Sequence, residues 1–300
     1  MTRALSHIGD RVSLRAHLTS APWIIWPCAA LGVGLCCFSI ASLRRRTKTC
    51  EATKSTGGMP SDDIIPVGTP HPEWIPGLEQ SPPEKLGEDH VPLDPLDCTS
   101  CYPLMISAVV PRPIGFVSTK AVDGTVNLAP FSYFNTVGHD PPMLVISVCR
   151  KGGDVKKDTL TNIEDTGEFV VSIISEWFVE AANHTCGNFP PEVDEMEVAG
   201  LTPLESIIVS PPRVKESAVN MECKVRHTYD IVNHMGESTT TVVFGEVVMF
   251  HVLPHLLDEA GAGHGKPTIK LEGYKPMARL GGNTYGRLGS VFELRRPSVK

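Results

Sequence analysis

The pattern of apolar and polar residues makes the chain β-rich from about residue 115 onward. Short apolar runs bounded by Gly, Pro, Asn and Asp predict strands at 115–119, 125–131, 143–149, 168–174, 207–209, 219–231 and 239–252. The apolar run 143–148 is typical of a strand that is buried on both faces. Gly245, inside the last and longest strand, predicts a bulge or a bend.

Three shorter segments have helical character. Apolar residues between Tyr102 and Val109 predict a short helix that leads into the first strand. A second helix is expected at 158–165 with Asp158 as its N-cap, and a third at 176–185. Many strands with few helices favour a mainly β barrel over a doubly wound sheet.

The chain before residue 91 has a different pattern, in three parts. Residues 1–20 form a basic leader with one acidic residue, and residues 44–90 are rich in Pro, Gly and acids, which predicts a linker. Between them, residues 21–43 are uncharged and mostly apolar, long enough for a transmembrane helix of about 20 residues. The remaining residues, 91–300, are expected to form one domain.

The charges beside this apolar segment indicate an orientation. Arginines 44–46 and Lys48 follow it directly, so the positive-inside rule would anchor the protein in a membrane with the domain facing the cytosol. Three alternatives stay open: a mitochondrial presequence, a cleaved secretory signal, and a soluble cytoplasmic protein whose true start codon lies further downstream.

Composition removes several other classes. A formal charge of -7 and a pI near 5.9 leave no basic footprint for nucleic acid. Nine irregularly spaced cysteines indicate reduced thiols. Cys98 and Cys101 form one isolated CxxC, without the second pair of a zinc site or the βαβ context of a thioredoxin-like motif, which favours two unconnected thiols. No metal is expected.

Small hydroxyl residues and a lysine cluster near predicted strand ends. Phosphates are bound by backbone N–H groups, hydroxyls and a point charge, and helix starts favour anions. The residues that fit this description are Ser118, Thr119, Ser132, Lys157 and Thr159. The alternative is that strand ends and N-caps contain many Ser and Thr residues in any protein.

Several separated motifs also resemble one known family. They are 111–119 (PRPIGFVST), 127–134 (NLAPFSYF), 140–142 (DPP), 157–159 (KDT), 193–195, 199–202, 212–214, 222–223 and 278–282. In this order and spacing they are similar to the flavin reductase-like family of FMN-binding split barrels, over residues 90 to 290. The resemblance implies an FMN-binding split β-barrel with a few short helices.

The resemblance also implies roles for individual residues. The segment 127–132 would lie along the flavin ring and ribityl chain, and the hydroxyl residues and lysine named above would approach the phosphate. Arg112 would either contact the cofactor or brace the first strand. The complete expected cofactor set is Arg112, Ser118, Thr119, Asn127, Leu128, Ala129, Pro130, Phe131, Ser132, Lys157 and Thr159. Family members are typically homodimers with the flavin near the interface.

Three functions follow from this resemblance. The first is an NAD(P)H-dependent FMN oxidoreductase that supplies electrons or reduced flavin to a partner; the second is an FMN-dependent oxidase or oxygenase acting on an organic substrate. The third is a non-catalytic, membrane-tethered flavin-binding protein. NADH or NADPH is the expected donor, although the sequence contains no dedicated nicotinamide fingerprint. No catalytic side chain is assigned, because the flavin itself supplies the chemistry.

Overall fold

The computed structural model describes residues 64–80, 83, 86, 90–152, 154–258 and 266–298. The α-helices are α1 (Tyr102–Ala108), α2 (Asp158–Thr166), α3 (Val179–His184) and α4 (Glu195–Val198), with 3₁₀ turns at Glu176–Phe178 and Pro254–Leu256. The strands are β1 (Ile65–Pro66), β2 (Arg112–Pro113), β3 (Gly115–Lys120), β4 (Val126–Phe131), β5 (Phe134–His139), β6 (Pro142–Cys149), β7 (Glu168–Ile173), β8 (Pro203–Leu204), β9 (Arg213–Val214), β10 (Val219–Val232), β11 (Ser238–Val252), β12 (Ala278–Arg279), β13 (Tyr285–Gly286) and β14 (Ser290–Val291).

The largest sheet has the strand order β4-β3-β7-β10-β11-β6-β5, so two strands adjacent in sequence form its opposite edges. Only two residues separate β4 from β5, and the three steps from Phe131 to Phe134 span at most about 11 Å. Across a flat sheet, six inter-strand spacings would place these edges about 29 Å apart. The sheet therefore curls until its edges meet, which makes the mainly β fold a barrel that is split between β4 and β5.

Consecutive residues of β3 point to opposite faces of the sheet and enter two apolar clusters. Val117 packs in the larger cluster, with Leu144 and Ile146 of β6 and the buried residues of α2. Phe116 packs in the second cluster, where Phe178 and Met196 bring α3 and α4 against the opposite face. The sheet is thus covered on both faces at β3 and β4, where the polar motifs lie.

Most of the predicted elements are confirmed, with shifts of one or two residues at their ends. The predicted strand 207–209 is wrong, because the backbone N–H groups of these residues bind the Glu222 carboxylate instead of a strand. Asp158 is not an N-cap: Lys157 holds that position, without a side-chain cap. Strand β6 was expected to be buried on both faces, but one of its faces is fully buried and the other only half-buried. Strand β5 was not predicted.

Gly245 is needed for packing as well as for the irregularity that was predicted there. The β10–β11 register shifts opposite it, between Val225 and His227. A Cβ atom at residue 245 would lie 2.4 Å from the Phe169 ring, which is fully buried. The Phe169 ring of β7 therefore occupies the space that a side chain at residue 245 would need.

We expect Gly245→Ala to lower the free energy of unfolding by about 1–3 kcal/mol, the usual effect of overpacking a core. Denaturant unfolding measures this change. Gly236→Ala is the comparison, because Gly236 has a positive φ of 82° and a Cβ atom there would meet no other atom within 4 Å; its cost should come from the backbone alone. If Phe169→Leu does not restore stability to Gly245→Ala, contact with the ring is not the cause.

The described residues before Val91 include one strand that pairs with the C-terminal segment. Strand β1 pairs in parallel with β14, Ile65 opposite Ser290, so this part of the predicted linker lies against the C-terminal segment. Trp74 and Ile75 keep much of their surface exposed. The basic leader 1–20 and the apolar segment 21–43 lie outside the described residues. In the part of the chain that is described, no helix has the length and apolar character of a membrane span.

Candidate functional site

A cavity of about 240 Å³ opens beside edge strand β4. Strand β4 forms one wall, the start of α2 a second, and the loop after α3 together with α4 closes the third. The lining residues are Asn127, Ala129, Pro130, Phe131, Lys151, Lys157, Asp158, Thr159, Thr185, Cys186, Gly187, Asn188, Phe189 and Glu195. Six of the eleven residues expected to bind a cofactor lie here: four from β4, and Lys157 and Thr159.

Lys157 provides a positive charge to this cavity. Its extended backbone precedes α2, and its ammonium group lies 5.9 Å from the centre of the Phe131 ring. The two other lysines nearby are paired, Lys151 with Asp158 at 3.3 Å and Lys156 with Glu164 at 2.5 Å. Among the described residues no carboxylate forms an ion pair with Lys157. Its charge therefore remains available to an anion.

A buried polar network supports the same wall of the cavity. The Asn127 side-chain amide donates to the Thr159 hydroxyl at 2.8 Å and lies 3.5 Å from that of Thr119. Asn162 also donates to Thr119, at 3.1 Å. Thr119 is fully buried and therefore supports Asn127 from behind instead of lining the cavity. This network holds β4 and α2 in a fixed relation.

Ser118 points to the opposite side of β3 from Thr119. Its side chain is fully buried, and its hydroxyl has no hydrogen-bond partner among the described residues. Leu128 likewise places its side chain in the core. These two side chains are consequently not part of the cavity surface, although both were among the residues expected to bind the cofactor.

Arg112 braces the structure, the second of its two expected roles. The guanidinium group is buried and donates to the backbone carbonyls of Ile106 and Val109 in and after α1, the latter at 2.7 Å. It also donates to the Leu280 carbonyl at 2.9 Å and weakly to the Ser132 hydroxyl at 3.4 Å. Arg112 and Ser132 therefore connect three segments without lining the cavity.

Glu195 is a cavity residue that the sequence analysis did not single out. Its Oε2 accepts the outward N–H of Leu128 at 3.0 Å, an edge-strand group without a strand partner. The next outward position of β4 is Pro130, which has no N–H. Burial raises the pKa of Glu195 above its ordinary value and outweighs the lowering effect of the Leu128 N–H, while the neighbouring Asp194 and Asp158 also raise it. The motif 193–195 was visible in the sequence, but nothing there showed that its carboxylate would turn inward.

The loop after α3 carries a thiol and an aromatic ring. The pKa of Cys186 is raised by desolvation, an effect that the positive charges of Arg279 and Lys157 only partly offset. Phe189 packs edge-on against His184 at 5.6 Å and approaches Gly187 too closely for a Cβ atom there. The cavity thus combines apolar surfaces, one lysine without an ion pair and one buried carboxyl group.

Comparison with known proteins is consistent with this geometry. The model of the flavin reductase like domain matches residues 106–267. Nitrilotriacetate monooxygenase component B from Bacillus cereus is 38% identical, with a TM-score of 0.65 over 69% of this chain and 100% of that one. The 2-nitrobenzoate 2-nitroreductase of Pseudomonas fluorescens is 30% identical, with a TM-score of 0.60 over 70% and 97%.

A third solved structure supports the fold alone. It is a protein with a split barrel domain from Shewanella frigidimarina, 21% identical, with a TM-score of 0.54 over 66% of this chain and 91% of that one. Its architecture agrees with the split barrel deduced above from the order of the strands. The family match spans more than half of the sequence, and the chain belongs to the flavin reductase-like domain family.

Proposed function

We propose that this protein is an NAD(P)H-dependent FMN oxidoreductase that supplies electrons or reduced flavin to a partner protein. The observation that carries the proposal is Lys157, which has no ion pair among the described residues and lies in a cavity that also has an apolar wall along β4. Membership of the flavin reductase-like family supports flavin reduction. Similarity to a protein named as one component of a monooxygenase supports transfer to a partner.

The residues of the cavity suit FMN. A phosphate needs a cation and a hydroxyl, which Lys157 and Thr159 would provide at the start of α2. A flavin ring needs a flat apolar surface, which Ala129, Pro130 and Phe131 would provide along β4. A flavin held there would supply the redox chemistry between a reduced nicotinamide and an electron acceptor. The protein's own part is to bind, orient and exclude water.

We also propose that the active form is a homodimer. A cavity of about 240 Å³ is smaller than typical ligand sites of about 300–1,000 Å³, so a second chain would complete it. A groove between β5, β6 and β11 exposes Val137 and Phe250, each about half-exposed. Such an apolar patch on a barrel is suited to a second copy.

We expect Phe250→Asp to convert a dimer into a monomer and to weaken FMN binding at the same time. A charge in the centre of an apolar interface is costly to desolvate. Sizing chromatography with light scattering measures the mass. Val122→Asp, at an exposed turn residue, is the matched control and should leave both properties unchanged. A wild-type monomer would contradict the dimer, and a dimeric Phe250→Asp would contradict the groove as its interface.

Anaerobic titration with NADH and NADPH, with and without added FMN, tests the oxidoreductase function. We expect the absorbance of flavin to bleach with one of the two donors, and to recover when an electron acceptor is added. Flavin that stays oxidised with both donors would contradict the proposed function. It would instead favour the non-catalytic flavin-binding role.

A second candidate is an FMN enzyme that acts on an organic substrate. The similarity to a nitroreductase of an aromatic acid supports it. The same titration separates the two functions when an organic acceptor is added without free flavin. Fast reoxidation by a nitroaromatic acid, together with slow release of reduced FMN, would favour this candidate.

We expect FMN affinity to decrease with rising pH through ionisation of Glu195. Its carboxyl group lies in the same cavity as Lys157 and Lys151, with Asp158 on the opposite wall. Because its pKa is raised, the Glu195 carboxyl group keeps its proton to a higher pH than an ordinary glutamate, whose pKa is 4.5. It gains a negative charge only as the pH rises further. That charge then opposes an anionic ligand.

The measurement is the ratio of FMN affinities of wild type and Glu195→Gln at each pH from 4.5 upward. Taking the ratio cancels the ionisation of the FMN phosphate itself. We expect the ratio to fall severalfold as the pH rises. A flat ratio would mean that Glu195 lies too far from the bound anion or keeps one ionisation state throughout.

We further propose that residues 21–43 anchor the protein in a membrane with the domain in the cytosol, on the hydropathy and flanking arginines of the sequence. Full-length protein should pellet with membranes and resist extraction with carbonate. Complete release into the soluble fraction would contradict the anchor. The mitochondrial and soluble alternatives would then be distinguished by the N-terminal sequence of the mature chain.

A further inference from the structure

Cys98 and Cys101 lie in the loop immediately before α1, and both thiols are free, in agreement with the expectation of two unconnected thiols. The Cys98 sulfur is 3.5 Å from the carbonyl oxygen of Asp94, and the Cys101 sulfur is 3.5 Å from that of Pro95, the next residue. Desolvation and the neighbouring Cys98 raise the pKa of Cys101 above the ordinary value for a thiol. Both are partly accessible to solvent.

None of the other described cysteines forms such a pair. Cys223 is fully buried, and burial raises its pKa far above the ordinary value for a thiol. Cys149 contacts the Thr240 hydroxyl at 3.6 Å, and Cys186 lies in the cavity. In the described part of the chain, Cys98 and Cys101 are therefore the thiols whose positions allow them to react with each other.

The pair has the requirements of disulfide chemistry and not those of a metal site. Within the described residues, no group of three or more His, Cys, Asp or Glu side chains is arranged to hold a metal ion. A disulfide needs only two thiols at close range with Cα atoms about 4.4–6.8 Å apart, a separation that two intervening residues permit.

We propose that Cys98 and Cys101 form a thiol–disulfide exchange site that reacts with small disulfides and thiols of the glutathione type. One thiolate attacks the external disulfide, forming a mixed disulfide and releasing one external thiol. The second thiolate then displaces the other external thiol and closes the Cys98–Cys101 bond. In total, two protein thiols and one disulfide become one protein disulfide and two small thiols, so electrons and protons balance.

The position gives this bond a structural consequence. Cys101 is the residue immediately before α1, and the start of this helix has no side-chain cap. Carbonyl groups of Ile106 and Val109 in and after the same helix hold the buried Arg112 guanidinium. A disulfide between residues 98 and 101 would thus restrict the backbone directly before α1, the helix whose carbonyl groups bind Arg112.

The test equilibrates the full-length protein with mixtures of reduced and oxidised glutathione, stops exchange with acid, alkylates free thiols and digests the chain. No Lys or Arg separates the two cysteines, so one tryptic peptide contains both. We expect this peptide to lose two hydrogens and resist alkylation as the oxidised fraction increases, in one two-electron transition that reduced glutathione reverses. If both cysteines remain alkylated at every ratio, the proposal is wrong.

Single variants test the order of the two steps. Cys98→Ser and Cys101→Ser should each stop at a mixed disulfide with one glutathione on the remaining cysteine. Cys149→Ser and Cys186→Ser are matched controls and should leave the transition of the peptide unchanged. Two separately glutathionylated cysteines on the wild-type peptide would also overturn the proposal. The measurement is a peptide mass and is therefore independent of flavin binding and of turnover.

Discussion

Replacing Lys157 with Ala should weaken FMN binding by about one to two powers of ten and leave riboflavin binding nearly unchanged. The two ligands differ by a phosphate, and a charge-assisted hydrogen bond contributes about 1.5–3 kcal/mol. Lys157 has no ion pair among the described residues, so its removal leaves no buried carboxylate unpaired. The variant should therefore fold normally. Quenching of flavin fluorescence measures both affinities.

Lys156→Ala is the matched control, because Lys156 is adjacent in sequence but pairs with Glu164 and does not line the cavity. It should bind FMN as the wild type does. Thr159→Val is a less specific variant, because the Thr159 hydroxyl also accepts the Asn127 amide, and it should weaken both ligands. Equal losses of FMN and riboflavin affinity in Lys157→Ala would show that Lys157 supports the wall of the cavity instead of binding the phosphate.

The sequence predicted most of the strands because alternation along one strand is a local property. Closure of the barrel is not local: β5 has only its first residue buried, so its pattern carries almost no periodic signal. It becomes a strand because the two-residue connection at 140–141 folds it back against β6, with His139 opposite Pro142. The resemblance to a family supplied the split barrel, whereas periodicity alone indicated only a barrel.

The site was predictable by segment but not by side chain. Asn127, Ala129, Pro130 and Phe131 meet residues 157–159 at one cavity. The pattern could not show that Ser118 and Thr119 are fully buried, because adjacent polar residues at a strand end face opposite sides and only tertiary packing decides which sides are covered. The inward turn of Glu195 at the start of α4 and the positions of Cys98 and Cys101 likewise depend on tertiary packing.

The predicted strand at 207–209 failed because of a single distant side chain. Glu222 of β10 is fully buried, and both of its carboxylate oxygens accept backbone N–H groups of this segment, at 2.8 Å from Ile207, 2.6 Å from Ile208 and 3.0 Å from Val209. His251 of β11 lies 2.6 Å from the same carboxylate. Residues 207–209 therefore form a loop whose backbone N–H groups donate to a carboxylate instead of to a neighbouring strand.

Replacing Glu222 with Ala should lower the free energy of unfolding by about 3–5 kcal/mol, because it leaves three backbone donors and a histidine without their partner. For a domain of this size the midpoint of thermal unfolding should fall by on the order of 10 °C. Calorimetry measures the change. Glu237→Ala, at an exposed glutamate of the β10–β11 turn, is the control and should change the free energy by less than about 0.5 kcal/mol.

The stabilisation by Glu222 should also depend on pH in one direction. Burial raises the pKa of Glu222, but the N–H groups of Ile207, Ile208 and Val209 together with His251 outweigh that effect and lower it below the ordinary value near 4.5. A carboxyl group with a lowered pKa stabilises the folded state above its unfolded pKa and loses this contribution as the pH falls through the folded value. The part of the stability difference between wild type and Glu222→Gln that comes from this ionisation should therefore be complete above about pH 5 and shrink in more acidic solution. A difference that grows on acidification would show that Glu222 is protonated in the folded protein and binds the loop as a neutral acid.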